Sequence, residues 1–302
     1  MKKLITLSLI FLPHVSNACA VCGGSASNQN MAVQPQFYKH FAGIQYQYRS
    51  FTSTHPADDG AASHSNEQYN TMQVWGRYNI GNRLRLFAFI PYISNVHEEN
   101  GKKTNCSGLG DVSFLGNIRM LSLKQPSSIW QHDLQIGGGL KLPTGRYNKE
   151  AILRGEHLPN MQPGTKSWDV TANTIYTTRY KSLGGTIDAS YTIVTPNADD
   201  YKFGNRLSTG LSVFYWWQTK TCTILPQGGV RLDATTGDYE YYSRNIKSDM
   251  TGGQQLYISA GIQAYYKFSG IQLLYYIPVY QHYADGLVKS KARAETGIYF
   301  LF

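Results

Sequence analysis

Residues Leu109–Ser122 read LGDVSFLGNIRMLS, and the chemical character of this stretch changes at almost every step. One parity carries Val112, Phe114, Gly116, Ile118 and Met120, and the other carries Asp111, Ser113, Leu115, Asn117 and Arg119. Successive residues of a β-strand point to opposite faces of the sheet. A period of two therefore predicts a strand with one apolar face and one largely polar face.

The same alternation recurs in twelve segments, most of them as long as a tilted strand that crosses a bilayer. The predicted strands span 41–50, 69–80, 83–93, 109–122, 130–142, 167–180, 185–195, 206–216, 221–232, 255–267, 271–280 and 291–302.

The connections between these segments alternate in length. They are long after odd-numbered strands, at 51–68, 94–108, 143–166, 196–205, 233–254 and 281–290, and short after even-numbered strands, at 81–82, 123–129, 181–184, 217–220 and 268–270. Long external loops and short periplasmic turns are typical of outer-membrane barrels. The sequence therefore predicts an all-β fold, a transmembrane antiparallel up-and-down β-barrel with both termini in the periplasm of a Gram-negative bacterium.

The charged residues of the segments lie on the parity opposite the apolar set. A Lys or Arg on the lipid face at mid-depth costs about 2–4 kcal/mol, so this parity is expected to face the interior. The set comprises Arg49, Arg77, Arg83, Arg85, Arg119, Lys141, Arg179, Arg206, Arg231, Lys267, Lys291 and Arg293 against Asp111, Asp133, Asp169, Asp188 and Glu295. The candidate pore-lining residues are Arg49, Arg77, Arg85, Asp111, Arg119, Asp188, Arg206, Arg231, Arg293 and Glu295.

Two interpretations of this interior stay open. It forms either a thin pore whose positive field favours anionic solutes, or a plug of ion pairs that satisfies the interior. Six aromatic residues share the inward parity and either guide aromatic solutes or pack the lumen: Trp75, Phe87, Phe89, Phe214, Trp216 and Tyr276.

Aromatic residues also recur on the outward parity, where they are expected to form girdles at the membrane interfaces. They are Tyr78, Tyr92, Trp168, Tyr176, Tyr180, Tyr215, Tyr266 and Tyr275. Proline donates no backbone hydrogen bond, so we expect bulges or weakened pairing at Pro91, Pro226 and Pro278.

The first residues have the features of a secretory signal peptide. Lys2 and Lys3 precede the apolar run 4–12, and Ser16-Asn17-Ala18 supplies small residues for cleavage after Ala18. Residues 1–18 are thus predicted to be removed, leaving a periplasmic segment 19–40 before the barrel at 41–302. No later stretch has eighteen consecutive apolar residues, so no transmembrane helix is expected.

Cys19 and Cys22 form a Cys-x-x-Cys pair at the start of that periplasmic segment. The pair could form a disulfide, bind a soft metal ion or take part in thiol exchange, and an oxidising compartment favours the disulfide. No other cofactor is expected. Cys106 is expected in an external loop and Cys222 on an outward strand face, too far apart to form a disulfide.

The last strand alternates up to Phe302, with Thr296, Ile298 and Phe300 on the same parity. It is expected to pair with the first strand, because an open sheet edge has no hydrogen-bond partners in lipid. A strand that ends at a terminal phenylalanine resembles the signal that the barrel-assembly machinery reads. That machinery and outer-membrane lipid are therefore expected partners.

Three short blocks resemble a known family. They are Gly108-Leu109-Gly110-Asp111-Val112, the run 139–147 (GLKLPTGRY) and the run 162–169 (QPGTKSWD). In this order and spacing they resemble the outer-membrane family named for the meta-pathway of phenol degradation, whose members are regarded as transporters of small organic compounds. Lys166 stands where the family usually has glycine, and the N-terminal Cys-x-x-Cys is not one of its required features. The resemblance implies an outer-membrane transporter.

The functional prediction is a channel for small solutes, anionic or aromatic. The alternative is a closed barrel that anchors a periplasmic metal or redox partner through Cys19 and Cys22. An enzyme is not expected, because the serine and histidine of His64-Ser65-Asn66 are adjacent in a predicted loop and His132 lacks a partner serine. A basic balance of 28 Lys and Arg against 19 Asp and Glu is not clustered, so no nucleic-acid partner is expected.

Overall fold

The computed structural model describes residues 39–55, 63–123, 129–154, 158–248 and 251–302. The predicted signal peptide 1–18 and the pair Cys19 and Cys22 lie outside these residues. The described chain forms a closed antiparallel barrel of twelve strands. No described helix is long and apolar enough to cross a membrane.

The barrel strands follow the chain, each pairing with the next. They are β1 (Phe41–His55), β2 (Ser63–Ile80), β3 (Leu84–Glu99), β4 in two segments (Lys102–Leu109 and Ser113–Leu123), β5 (Trp130–Lys141), β6 (Asp169–Tyr180), β7 (Leu183–Val194), β8 (Arg206–Tyr215), β9 (Cys222–Thr235), β10 (Gly253–Tyr266), β11 (Ser269–Tyr283) and β12 (Val288–Leu301). Short strands at Trp217–Gln218, Tyr239–Tyr241 and Ile246–Lys247 lie in the connections.

Closure is made by β1 and β12, which pair from Phe41 opposite Leu301 to Ser53 opposite Val288. This confirms the predicted contact between the first and last strands. Both ends of the barrel chain therefore lie on the side of the short connections, which we call the turn end. The opposite side is the loop end.

The outer surface is apolar over a continuous band. Ile44, Ile187, Ile258 and Ile298 are each about half exposed on this face. All eight predicted girdle residues point outward, with Tyr176 more covered than the others. A closed sheet with an apolar exterior has the surface that a bilayer requires.

The loop-end connections are shorter than predicted in three places. The expected loops 51–68, 94–108 and 281–290 are largely strand. β1 stays paired with β2, and β3 with β4, beyond the apolar band, whereas β11 and β12 separate after Tyr276 and Arg293 and pair again at Tyr283 and Val288. Cys106 therefore lies inside paired strand, buried and facing inward, rather than in a loop. The hydrogen-bonded ladder does not stop at the membrane boundary, whereas the apolar alternation does.

Prolines interrupt the ladder as predicted. Opposite Pro278, the pairing of β10 shifts register between Leu256 and Tyr257. Next to Pro91, the pairing of β3 with β4 breaks between Leu109 and Ser113. Next to Pro226, the pairing of β9 with β8 begins only at Gln227.

The apolar band generates a prediction about two positions on the outward face of β10. Ile258→Arg places a cation against lipid near mid-depth, whereas Gln254→Arg places it on the same strand beyond the band. We expect Ile258→Arg to lower the free energy of unfolding in lipid vesicles by about 2–4 kcal/mol and Gln254→Arg by less than about 1 kcal/mol. Urea titration measures both, and equal losses would contradict the assigned membrane depth.

Candidate functional site

The barrel interior contains nearly all of the predicted inward charges. Nine of the twelve predicted basic residues point into the lumen, and all ten candidate pore-lining residues are among the inward set. Three predictions are wrong: Arg83 and Lys267 are exposed on the turn-end rim, and Lys291 is exposed on the outer surface.

The prediction for Lys291 is wrong because β12 contains a bulge at this residue. The pairing of β1 with β12 shifts register between Ser50 and Phe51, so the parity of β12 changes at Lys291. Its ammonium then donates to Asn66 Oδ1 on the outer face at 3.0 Å. A β-bulge adds one residue and turns later side chains to the other face, which strict alternation does not reveal.

A buried ionic network, which we call the Arg293 network, occupies the middle of the lumen. The Arg293 guanidinium is 1% exposed and lies 2.8 Å from Asp233 Oδ2 and 3.0 Å from Glu295 Oε1. It also packs against the Tyr276 ring at 4.5 Å and the Tyr257 ring at 5.7 Å. A guanidinium held by two carboxylates and two rings has a fixed position.

The network continues to Arg231, whose Nη2 donates to both oxygens of Asp188 at 3.1 and 3.0 Å. Ser208 links the two halves, since its hydroxyl accepts from Arg231 at 2.8 Å and donates to Asp233 at 2.6 Å. With Arg49, which is 9% exposed beside them, the network has three cations and three carboxylates. Its charges balance, as burial requires.

A second group at the turn end is not balanced. This group, the basic layer, consists of Arg77, Arg85, Arg119 and Arg179 with the carboxylate of Asp133. Asp133 Oδ2 lies 2.7 Å from Arg119 Nε and 3.4 Å from Arg85 Nη2. Four guanidiniums against one carboxylate leave the turn-end part of the lumen electropositive.

A third group, the plug anchor, lies at the loop-end side. Lys141 Nζ lies 2.9 Å from Asp169 Oδ2 and 3.2 Å from Asp111 Oδ2. Arg206 Nη2 reaches Asp169 Oδ2 at 2.7 Å. These two cations and two carboxylates balance one another, so the interior excess of positive charge belongs to the basic layer.

The plug anchor holds the connection 142–168, which we call the plug loop. Asp111 Oδ1 accepts from the Gly145 amide at 2.8 Å, and Asp111 Oδ2 accepts from the Thr165 amide at 3.0 Å and its hydroxyl at 2.7 Å. The Lys141 ammonium also donates to the Thr165 hydroxyl at 2.6 Å. One carboxylate at the break in β4 therefore binds both ends of the loop.

The far part of the plug loop crosses the loop-end mouth. Its short 3-10 turn Pro159–Met161 places Met161, 2% exposed, in a buried apolar cluster with Phe51, Tyr69, Tyr283 and Val288. Those four residues belong to β1, β2, β11 and β12, on the other side of the barrel from β5 and β6. Asn95 donates to the Met161 carbonyl at 3.0 Å. The plug loop thus closes the mouth.

Neighbouring loops pack on the plug. Asp238, 1% exposed, accepts from the Gly204 amide and the Tyr201 hydroxyl, both at 2.7 Å. Asn197 donates to the Thr165 carbonyl at 3.1 Å.

Burial in the plug loop raises the pKa of Tyr147 to about 12, so this hydroxyl stays neutral at physiological pH.

The three family-like blocks meet at the plug anchor. The Arg146 amide donates to Leu109 O at 3.0 Å, and the Gly164 amide donates to Arg146 O at 2.8 Å. A Cβ atom on Gly145 would lie 2.5 Å from the Gly164 Cα, so the two backbones require glycine to approach this closely. These blocks, distant in sequence, build one junction between wall and plug.

The inward aromatic residues pack against one another. Trp75 and Phe89 are 6% and 1% exposed with ring centroids 5.9 Å apart, and Phe41 packs on Trp75 at 4.6 Å. Phe87 and Phe214 belong to the same buried cluster, and Trp216 packs on it. The cluster occupies part of the turn-end lumen, which favours the packing interpretation of these residues.

Some interior residues were missed by the sequence analysis. Asp233 lies one step beyond the predicted end of its strand, and its inward parity after Arg231 is a signal that a longer window would have detected. Glu67, 1% exposed, was assigned to a loop. It accepts from the Ser53 hydroxyl at 3.0 Å, and its hydrogen bond with His97 raises the pKa of that imidazole.

The serine and histidine residues considered for an enzyme are not arranged for substrate access. Ser65 is fully buried, with His55 Nε2 at 2.9 Å, while the exposed His64 contacts Thr54. His132 Nδ1 lies 2.8 Å from the Tyr176 hydroxyl on the lipid face. Among the described residues no group of three or more His, Cys, Asp or Glu side chains is placed to hold a metal ion.

Lys166 has a backbone conformation that glycine adopts more easily. Its φ is +55°, a left-handed conformation that costs a residue with a Cβ about 1–2 kcal/mol. We expect Lys166→Gly to protect plug-loop amides from hydrogen exchange more than Lys166→Ala, by about 1 kcal/mol. Both variants lose the same contacts of Lys166 with Asp199 and Tyr147, so equal protection would show that the left-handed conformation is not maintained in solution.

No protein-family model and no curated protein matches the sequence. The fold is similar to an outer membrane channel from Pseudomonas putida F1, with a TM-score of 0.62 and 13% identity over 92% of this chain and 100% of that one. It is also similar to the transport unit of the Escherichia coli autotransporter AIDA-I (TM-score 0.50, 12% identity, 92% and 95% covered). The β domain of the Bordetella autotransporter BrkA gives a TM-score of 0.50 with 8% identity over 87% and 99%. The chain therefore has the fold of an outer-membrane β-barrel.

Proposed function

We propose that this protein is an outer-membrane channel for small anionic solutes, closed at its loop end by the plug loop. The basic layer carries this proposal, because four guanidiniums and one carboxylate give the turn-end lumen a net positive charge. A narrow, low-dielectric passage lined by one sign of charge concentrates and selects ions of the opposite sign.

Small cavities lie along the lumen that the described residues enclose. A turn-end cavity of about 10 Å³ is lined by Phe41, Trp75, Arg77, Tyr265, Gln272, Tyr299 and Leu301, and a middle cavity of about 40 Å³ shares Gln272 with it. Each has room for one or a few water molecules, so these cavities mark positions along a path that must widen for a solute to pass. The middle cavity also has Gln227 and Gln263 in its wall, so its lining suits polar solutes.

The Arg293 network separates the middle cavity from a loop-end cavity of about 20 Å³. Arg231 and Tyr276 face the middle cavity, while Arg293 and Tyr257 face the loop-end one. Passage requires this partition and the plug loop to move. The predicted orientation, with the turn end in the periplasm, makes the plug loop an external gate.

The last strand, with Phe302 after it, is the proposed signal for the assembly machinery.

Ion selectivity in a planar bilayer tests the basic layer. We expect a reversal potential of anion-preferring sign in a salt gradient, and Arg77→Gln with Arg179→Gln shifts it toward cations because two of the four guanidiniums are lost. Arg244→Gln is the control, since Arg244 is exposed in a loop and is expected to leave selectivity unchanged. Cation preference of the unmodified protein would contradict the proposal.

Opening of the plug is tested by Asp111→Asn. The change keeps the side-chain size but removes the charge that accepts from Gly145 and Thr165, and hydrogen bonds to charged groups contribute about 1.5–3 kcal/mol. We expect at least about a tenfold increase in open probability. The control is Glu150→Gln in the same loop, where the side chain is 84% exposed.

Absence of conductance from both Asp111→Asn and the unmodified protein would favour the alternative, a closed barrel. In that alternative Cys19 and Cys22 would serve a periplasmic partner, and their double serine variant would lose that partner's metal- or redox-dependent activity.

A further inference from the structure

The turn-end rim has an unusual distribution of charge. Each short turn that the structure describes carries one basic residue: Arg83, Lys181, Lys220 and Lys267. The remaining turn contains Lys124, which lies outside the described residues, and Lys39 precedes β1. No Asp or Glu side chain is present at 79–84, 129–131, 180–183, 215–222 and 266–270.

Arg83, Lys181, Lys220 and Lys267, here called the basic collar, are all exposed. They are separate from the basic layer, which points into the lumen. Because the strands pair in sequence order, Lys181, Lys220 and Lys267 stand two strands apart from one to the next, and Arg83 stands four strands from both Lys181 and Lys267, so the collar extends around the circumference. Among the described residues, no carboxylate forms an ion pair with these four side chains.

The depth of the collar is fixed by aromatic contacts. Lys181 Nζ lies 5.4 Å from the centre of the Tyr180 ring, and Lys267 Nζ lies 5.2 Å from that of Tyr266. Both tyrosines point outward at the turn-end edge of the apolar band. Outward aromatic residues at a band edge mark the level of lipid headgroups, so the ammonium groups lie at that level.

The loop end does not share this feature. Its exposed residues include both signs: Glu150, Glu240 and Asp285 as well as Lys102, Lys103 and Lys247. The one-signed collar is therefore not a consequence of the basic composition of the whole chain.

We propose that the basic collar binds the phosphate groups of anionic phospholipids, such as phosphatidylglycerol, in the leaflet that surrounds the turn end. Lys and Arg pair with phosphate oxygens through charge-assisted hydrogen bonds, and cations at a membrane surface are attracted to anionic lipid. The ring-shaped distribution matches annular lipid, which contacts the whole circumference. An acidic protein partner would instead be matched by a one-sided patch.

Two outward tryptophans give a local readout. Trp130 and Trp217 lie at the turn end, 51% and 57% exposed to the lipid side. In a Trp168→Phe background, which removes the outward loop-end tryptophan, quenching by brominated phosphatidylglycerol is compared with quenching by brominated phosphatidylcholine. Vesicles with the same lipid in both leaflets make the result independent of insertion direction.

We expect the unmodified protein to bind brominated phosphatidylglycerol more tightly than brominated phosphatidylcholine. The ratio of the two affinities should be up to about fivefold for each cation in contact with a headgroup. Replacing the four collar residues with Gln should reduce the preference to about one, and molar salt should weaken it in the unmodified protein. The matched control replaces Lys102, Lys103, Arg244 and Lys247 with Gln, an equal change of charge at the loop end, and should retain the preference.

Equal quenching by the two lipids in the unmodified protein would overturn the proposal, as would a preference that survives loss of the collar. The same loss in both quadruple variants would also overturn it, since total charge would then be the cause. Heat-modifiable migration on gels checks that each variant is folded, and bilayer conductance, measured separately, tests the channel and not the collar.

Discussion

A β-sheet in hydrocarbon has no water to satisfy its edge, so every backbone amide and carbonyl must find a partner within the sheet. The rest of this structure depends on that constraint. The pairing of Phe41 with Leu301 closes the ring, and closure divides the side chains of each strand between lipid and a confined interior. The outward parity must be apolar, and every charge of the spanning strands must share one small space.

The confined interior explains the ionic arrangement. Charges that leave water need partners, and here the Arg293 network and the plug anchor each pair equal numbers of cations and carboxylates. The basic layer departs from this balance, with Asp133 facing four guanidiniums. In the proposed function, an anionic solute would be the charge that compensates this excess. The collar shows the same excess on the outer rim, where lipid phosphate would be the compensating charge.

The plug loop connects the sequence motifs to the closed state. Asp111 lies at the break in β4 near Pro91, where the chain is not paired with β3. At this position its carboxylate accepts hydrogen bonds from the Gly145 and Thr165 amides. Gly145 and Gly164 allow the two ends of the loop to approach each other closely, and Gly145 also lies close to the Asp111 backbone in the wall. A polar junction of this kind holds the near end of the loop in place, whereas the apolar cluster around Met161 holds its far part against the opposite wall.

The sequence by itself determined the barrel, the strand order and the inward position of most charges, because lipid imposes a strict period of two that local residues must obey. It also predicted the aromatic girdles and the three interruptions at proline. It could not place Lys291, since a single bulge changes the parity without any composition signal, nor the ends of β1 to β4, since strand pairing continues in water where alternation is no longer required. Only the tertiary structure decided three other features: which charges pair, that Asp233 completes the Arg293 network, and that the plug loop crosses to the cluster around Met161. Those contacts join strands far apart in the chain, and curvature of the closed sheet brings them within hydrogen-bond distance.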